Sequence, residues 1–135
     1  MSGAKSRNKG ARGEREVCAM LRDNLGGQYN RLLKQYQQAQ LADIEQLVGP
    51  YSLEIKNCAT LNLKAWWQQA VTAADKRGAV PCLAYKITRA GWRFVVPLPQ
   101  AWGSGHQWGR ELAYTQTLYP DGFYLLVREQ GVGNG

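Results

Sequence analysis

The residues of this chain best suited to chemistry lie in its middle. Asp43 precedes the stretch YSLEIKN (51–57), which places Glu54 and Lys56 on either side of Ile55. In a strand alternate residues share a face, so Leu53 and Ile55 look one way and Ser52, Glu54 and Lys56 the other. The apolar pair can enter a core, and the charged set then lines a cleft with whatever the neighbouring strand supplies. That neighbour, joined through the turn signal Gly49-Pro50, carries Asp43. Two carboxylates on adjacent strands repel each other unless a cation sits between them. Such oxygen ligands suit Mg²⁺, which keeps several waters and takes the remaining ligands from substrate phosphate. A bound divalent ion lowers the pKa of its water and offsets charge that builds on a phosphodiester. A nearby lysine can orient that water. Asp43, Glu54 and Lys56 therefore read as a metal-dependent hydrolytic set. An exposed cross-strand ion pair, worth well under about 1 kcal/mol, is the plainer alternative for Glu54 and Lys56.

The elements that must hold these residues follow from periodicity. The pattern predicts a helix from Lys9 to Leu25, with Val17, Cys18, Leu21 and Leu25 on one face and Gly26-Gly27 ending it. Glu14 falls in the centre of that apolar stripe and needs a partner there, whereas Glu16 points away and reads as solvated. Residues 28–34 and 41–48 read as strands, separated by the polar loop QYQQAQ, and 51–56 is the third strand. A second helix spans 62–77, with Asn62 as N-cap and Gly78 at its C-terminal end. PCLAYKI (81–87) and WRFVVPL (92–98) form a hairpin-like pair. Further on, QWGRELA suggests a helical turn, Asp121-Gly122 a turn, GFYLLV a last strand, and 128–135 a frayed tail. The order α-β-β-β-α-β-β implies an α/β fold, a mixed sheet flanked by helices, in one domain over 1–135.

Composition bounds the function classes. The 135 residues are 44% apolar, enough for a single core. No stretch approaches the roughly 18 apolar residues of a membrane span, and the first residues lack the apolar segment of a signal peptide, so a cytoplasmic protein is expected. Cys18, Cys58 and Cys82 are widely spaced within apolar patterns and read as reduced core thiols. With a single histidine, His106 in a Gly-rich loop, zinc chemistry is disfavoured. Trp66, Trp67 and Trp92 read as packing residues, while Trp102 and Trp108 suit a lid or interface. Seventeen Lys+Arg against ten Asp+Glu give a net charge of +7. Lys5, Arg7, Lys9, Arg12 and Arg15 cluster at the start, where residues 1–8 read as a flexible basic arm suited to a polyanion.

Asp43 followed by Glu54-Ile55-Lys56 resembles the D…(D/E)-x-K signature of the PD-(D/E)xK nuclease superfamily. Lys9-Gly10 with Glu14-Arg15-Glu16 is similar to the KG…ERE opening of archaeal-type Holliday junction resolvases, and the likeness runs over roughly residues 8–97. The resemblance implies a restriction-endonuclease-like core with Asp43, Glu54 and the Ile55 carbonyl as metal ligands. It also implies Lys56 positioning the water, Glu14 completing the site, and Gln69 as the glutamine many members carry on the following helix. Arg31 is the best match for a substrate-contacting arginine on the first strand. The implied cofactor is Mg²⁺, with Mn²⁺ as a substitute, and the implied partner is branched DNA bound by a homodimer. Ala42 stands where the superfamily's nominal proline would be, and nothing beyond Pro99 has a clear counterpart. The expected function is a metal-dependent endonuclease of the resolvase type. The alternatives are another nuclease on the same fold (a nickase, a repair or a restriction-like enzyme) and a non-catalytic DNA-binding module. Small size and a basic arm suit a phage product.

Overall fold

Four strands lie in sequence order across one sheet: β1 (Tyr51–Lys56), β2 (Val80–Ile87), β3 (Gly91–Pro97) and β4 (Thr115–Leu118). The computed structural model describes residues 2–32, 42–99 and 110–133. β1 and β2 are parallel, and the other pairs are antiparallel. A parallel pair needs a crossover, and α2 (Leu63–Arg77) supplies it. The Asn62 side chain caps α2 by accepting from the Ala65 N–H. Gly78 ends it in the left-handed conformation, its N–H reaching the Ala74 and Asp75 carbonyls.

The two faces of the sheet bury different helices. Leu53 and Ile55 of β1 pack with Phe94 beneath Val17 and Leu21 of α1 (Ser2–Leu25) and Phe123 of α3 (Pro120–Gly133). Leu83, Tyr85 and Val95 face the other way, against Trp66, Trp67 and Ala70 of α2. The fold is therefore α/β, a mixed sheet covered by helices on both sides, as its apolar patterns imply. No helix among the described residues is long and apolar enough to cross a membrane.

Several expectations need correction. GFYLLV lies in a helix, not a strand. Pro120 takes the first helical position, Asp121 sits in the first turn, and Phe123, Tyr124 and Val127 recur at helical spacing in the core. The Asp121-Gly122 turn and the frayed tail from 128 are absorbed into the same helix, which runs to Gly133. At the other end α1 begins at Ser2 instead of Lys9, because Ala4, Lys5 and Arg7 are good helix formers that extend it. The expected flexible arm over 2–8 is thus helical backbone. Cys58 is exposed just past β1, while Cys18 and Cys82 are buried as expected.

Among the described residues, the two strands predicted before β1 contribute isolated bridges, Arg31 to Ile44 and Val48 to Tyr51. Beside them the Leu32 N–H donates to the Asp43 carbonyl and the Glu45 N–H to the Asn30 carbonyl. Between 42–48 and β1 the ladder is interrupted at Asp43. Its carboxylate, not a main-chain carbonyl, accepts the Ile55 N–H, so a side chain takes the place of a ladder bond. Residues 33–41 and 100–109, with QYQQAQ, Trp102, His106, Trp108 and the first part of QWGRELA, lie outside the described residues. The rest of that predicted helical turn appears as a short 3₁₀ helix, Leu112–Tyr114.

Candidate active site

Asp43 is locked to the edge of β1 from both its main chain and its side chain. Its N–H donates to the Leu53 carbonyl at 3.2 Å, and its Oδ2 accepts from the Ile55 N–H at 2.7 Å. In an extended strand the N–H and C=O of one residue point to the same edge. The Ile55 carbonyl is therefore directed to the side on which Asp43 lies. Glu54, on the face opposite Leu53 and Ile55, is only 9% exposed, and its Oε2 lies 3.6 Å from the Lys56 Nζ. The shared face expected for Glu54 and Lys56 is thus an ion pair at the end of β1.

The first helix reaches the same place because Gly13 allows it. A Cβ at position 13 would lie 2.8 Å from the Cβ of Asn57, the residue after β1. Asn57 Nδ2 in turn donates to the Lys9 carbonyl at 3.0 Å. This docking brings Glu14 beside the strand, where its Oε1 accepts from Arg31 Nε at 2.9 Å. Arg31 is therefore the partner that a partly buried Glu14 requires. Gly13→Ala is expected to cost about 1–3 kcal/mol, since the methyl meets the base of a side chain instead of a flexible tip. Urea unfolding of the variant checks this; an unchanged midpoint would show that the helix can shift without penalty.

Electrostatics mark the carboxylate pair as only partly compensated. Burial, then the Glu54 carboxylate, push Asp43 well above the usual carboxylate range, against the bond from the Ile55 N–H. Burial also raises Glu54, opposed by Lys56, and the net position is about 7. Glu14 adds repulsion to both. A divalent cation reverses this balance by favouring both charged forms. Among the described residues, no three His, Cys, Asp or Glu side chains form a cluster that could hold an ion. Two carboxylates and one carbonyl fit Mg²⁺ nonetheless, because that ion is bound through one or two carboxylates and fills its shell with water and phosphate. In that role a divalent ion supplies an activated water and charge neutralisation at the phosphodiester.

Other predicted site residues are more dispersed. Lys9 is half-buried on α1, while Arg12 and Arg15 are exposed there and able to meet phosphate. Lys5 and Arg7 belong to the same helix. Gln69 is exposed on α2, and no hydrogen bond among the described residues joins it to Asp43 or Glu54. Glu16 is not free in solvent: its Oε1 accepts from Lys86 Nζ and Trp92 Nε1, each at 2.8 Å. Burial alone would raise its pKa, but these contacts, with the charge of Arg12, together outweigh it and lower the pKa. Sequence reasoning missed this pairing because Lys86 and Trp92 come from a hairpin far along the chain. It also missed Asn57, whose only local signal was its place directly after the Glu-x-Lys.

A mixed sheet with an aspartate and a Glu-x-Lys strand converging at one edge belongs to a nuclease of the PD-(D/E)xK class. The chain is a member of the phage PDDEXK endonuclease family, whose model matches residues 5–120. It is also similar to the solved structure of Archaeoglobus fulgidus Hjc, a Holliday junction resolvase from an archaeal hyperthermophile. The identity is 29% and the TM-score 0.46, over 64% of this chain and 70% of that one. No curated protein matches.

Proposed function

We propose that the protein is a metal-dependent endodeoxyribonuclease that hydrolyses phosphodiesters in branched DNA, as a Holliday junction resolvase. The observation that carries the metal-dependent reading is the buried carboxylate pair. Asp43 is pinned to the Ile55 N–H and Glu54 lies beside it. Burial and repulsion from neighbouring carboxylates raise both above their ordinary values, a balance that a divalent cation would reverse. Asp43, Glu54 and the Ile55 carbonyl hold Mg²⁺, or Mn²⁺ in its place. Lys56 orients the attacking water, and Glu14 sets Arg31 against the substrate strand. The family resemblance alone assigns Gln69, exposed on α2, to the same site. Lys5, Arg7, Lys9, Arg12 and Arg15 track the phosphate backbone along α1.

The preference for a junction rests on the Lys9-Gly10 and Glu14-Arg15-Glu16 pattern, whose Glu14 meets the end of β1 through the Gly13 contact. Cutting a four-way junction in symmetric pairs requires two sites related by a two-fold axis, so the acting form is a homodimer. Its setting is the cytoplasm of a phage-infected host. A panel of linear, nicked, flapped and four-way DNA, with Mg²⁺ or with EDTA, tests the reading. The expected result is Mg²⁺-dependent cleavage of the four-way substrate at symmetry-related positions. Equal or faster cutting of the nicked, flapped or linear DNA would assign the protein to a nickase, repair or restriction-like role.

A further inference from the structure

Arg77 ends α2, yet its guanidinium turns toward the segment that carries Asp43. Its Nη1 donates to the Ile44 carbonyl at 3.1 Å and to the Ser52 hydroxyl at 3.2 Å, and its Nη2 donates to the Glu45 carbonyl at 2.6 Å. These acceptors bracket the carboxylate pair. Ile44 follows Asp43 directly, and Ser52 shares the face of β1 from which Glu54 projects.

On the side away from β1, the segment over 42–48 is held by bonds from the Leu32 N–H to the Asp43 carbonyl and from the Glu45 N–H to the Asn30 carbonyl. Ile44 and Val48 also anchor it in the core, but its grip on β1 beside Asp43 is slight. Among the described residues its sheet pairing amounts to the two isolated bridges, and Asp43 itself meets β1 through one long main-chain bond and its own side chain. Burial disfavours the charged guanidinium and lowers its pKa. Among the described residues this half-buried arginine bonds to neutral oxygens and not to a carboxylate; what those bonds provide is geometry. The guanidinium is a rigid planar fork, able to fix two successive carbonyls at once, which a lysine ammonium cannot reproduce.

We propose that Arg77 is a positioning residue for the metal site, setting the distance between Asp43 and Glu54 by gripping Ile44, Glu45 and Ser52 together. This rests on the reading of Asp43 and Glu54 as the metal pair. A purely structural arginine at the sheet edge would lower the unfolding temperature and leave the metal affinity of the folded protein unchanged.

Calorimetric titration of Mn²⁺ well below the unfolding temperature separates the two roles, using wild type, Arg77→Lys, Ser52→Ala and Asp43→Asn. Arg77→Lys is expected to weaken Mn²⁺ binding by about tenfold or more, in the range typical of groups that orient a metal's ligands. Ser52→Ala, which removes one of the three acceptors, is expected to weaken it less. Amide hydrogen exchange over 43–48 should quicken in both. Wild-type affinity in both Arg77→Lys and Ser52→Ala, with binding lost in Asp43→Asn, would overturn the positioning role alone. Wild-type affinity in Asp43→Asn itself would overturn the metal reading beneath it. Should Arg77→Lys fail to fold, Ser52→Ala still decides.

Discussion

Asp43→Asn and Lys56→Ala are each expected to abolish cleavage while DNA binding survives. Asn keeps the shape of Asp43 and an oxygen able to accept from the Ile55 N–H, so the edge of β1 stays in place. What it loses is the negative charge that a cation needs. Metal stabilisation of a phosphoryl transition state is worth several kcal/mol, which corresponds to about a thousandfold or more in rate. Lys56→Ala removes the group assigned to the water. It also leaves Glu54 without the cation that opposes the effect of burial, so Glu54 becomes harder to ionise. Single-turnover cleavage with saturating enzyme measures the rate, and gel mobility in EDTA measures binding. Wild-type cleavage by either variant would contradict the assigned roles.

The second large effect is on stability without metal. Glu54 has an ordinary value of 4.5 and is pushed up to about 7 in the fold. Between these values the native state holds a proton that the unfolded chain has released, so stability falls as pH rises through the window. Below pH 4.5 both states are protonated and the penalty vanishes, and above about pH 7 it is fully present. At about 1.4 kcal/mol per pH unit the loss is about 3 kcal/mol from this residue, and Asp43 shifts in the same direction. Glu54→Gln removes the ionisation. It should flatten the fall between pH 4.5 and 7 and be the more stable protein at pH 8 in EDTA. Adding Mn²⁺ at pH 8 should stabilise the wild type and not the variant, because only the wild type offers a charged pair. Urea unfolding at a series of pH values reads both effects. A wild-type profile that is flat or rises across the window would show that the carboxylate is not held out of water.

The parts of the site that could be read from sequence were those fixed by a local period. Strand alternation put Glu54 and Lys56 on one face, and helical spacing put Glu14 on the buried stripe; both hold in the fold. The capped ends of α2 were legible for the same reason, since Asn62 and Gly78 act on their immediate neighbours. The pairing expected between the Asp43 segment and β1 is interrupted because a side chain accepts the Ile55 N–H there, and no period encodes that exchange. GFYLLV was ambiguous because a short apolar run suits either period, and Pro120 was the residue that favoured a helix. Arg77, Asn57 and the Glu16–Lys86–Trp92 cluster were invisible, because each joins residues that only the folded chain brings together.

Titration of Mn²⁺ into the wild-type protein at pH 8, set beside Asp43→Asn and Glu54→Gln, addresses the metal pair itself. Saturable binding is expected in the wild type and its loss in both variants, with the helical and sheet content of all three unchanged. Equal affinity in all three proteins, or no binding in any, would show that these carboxylates do not hold the ion.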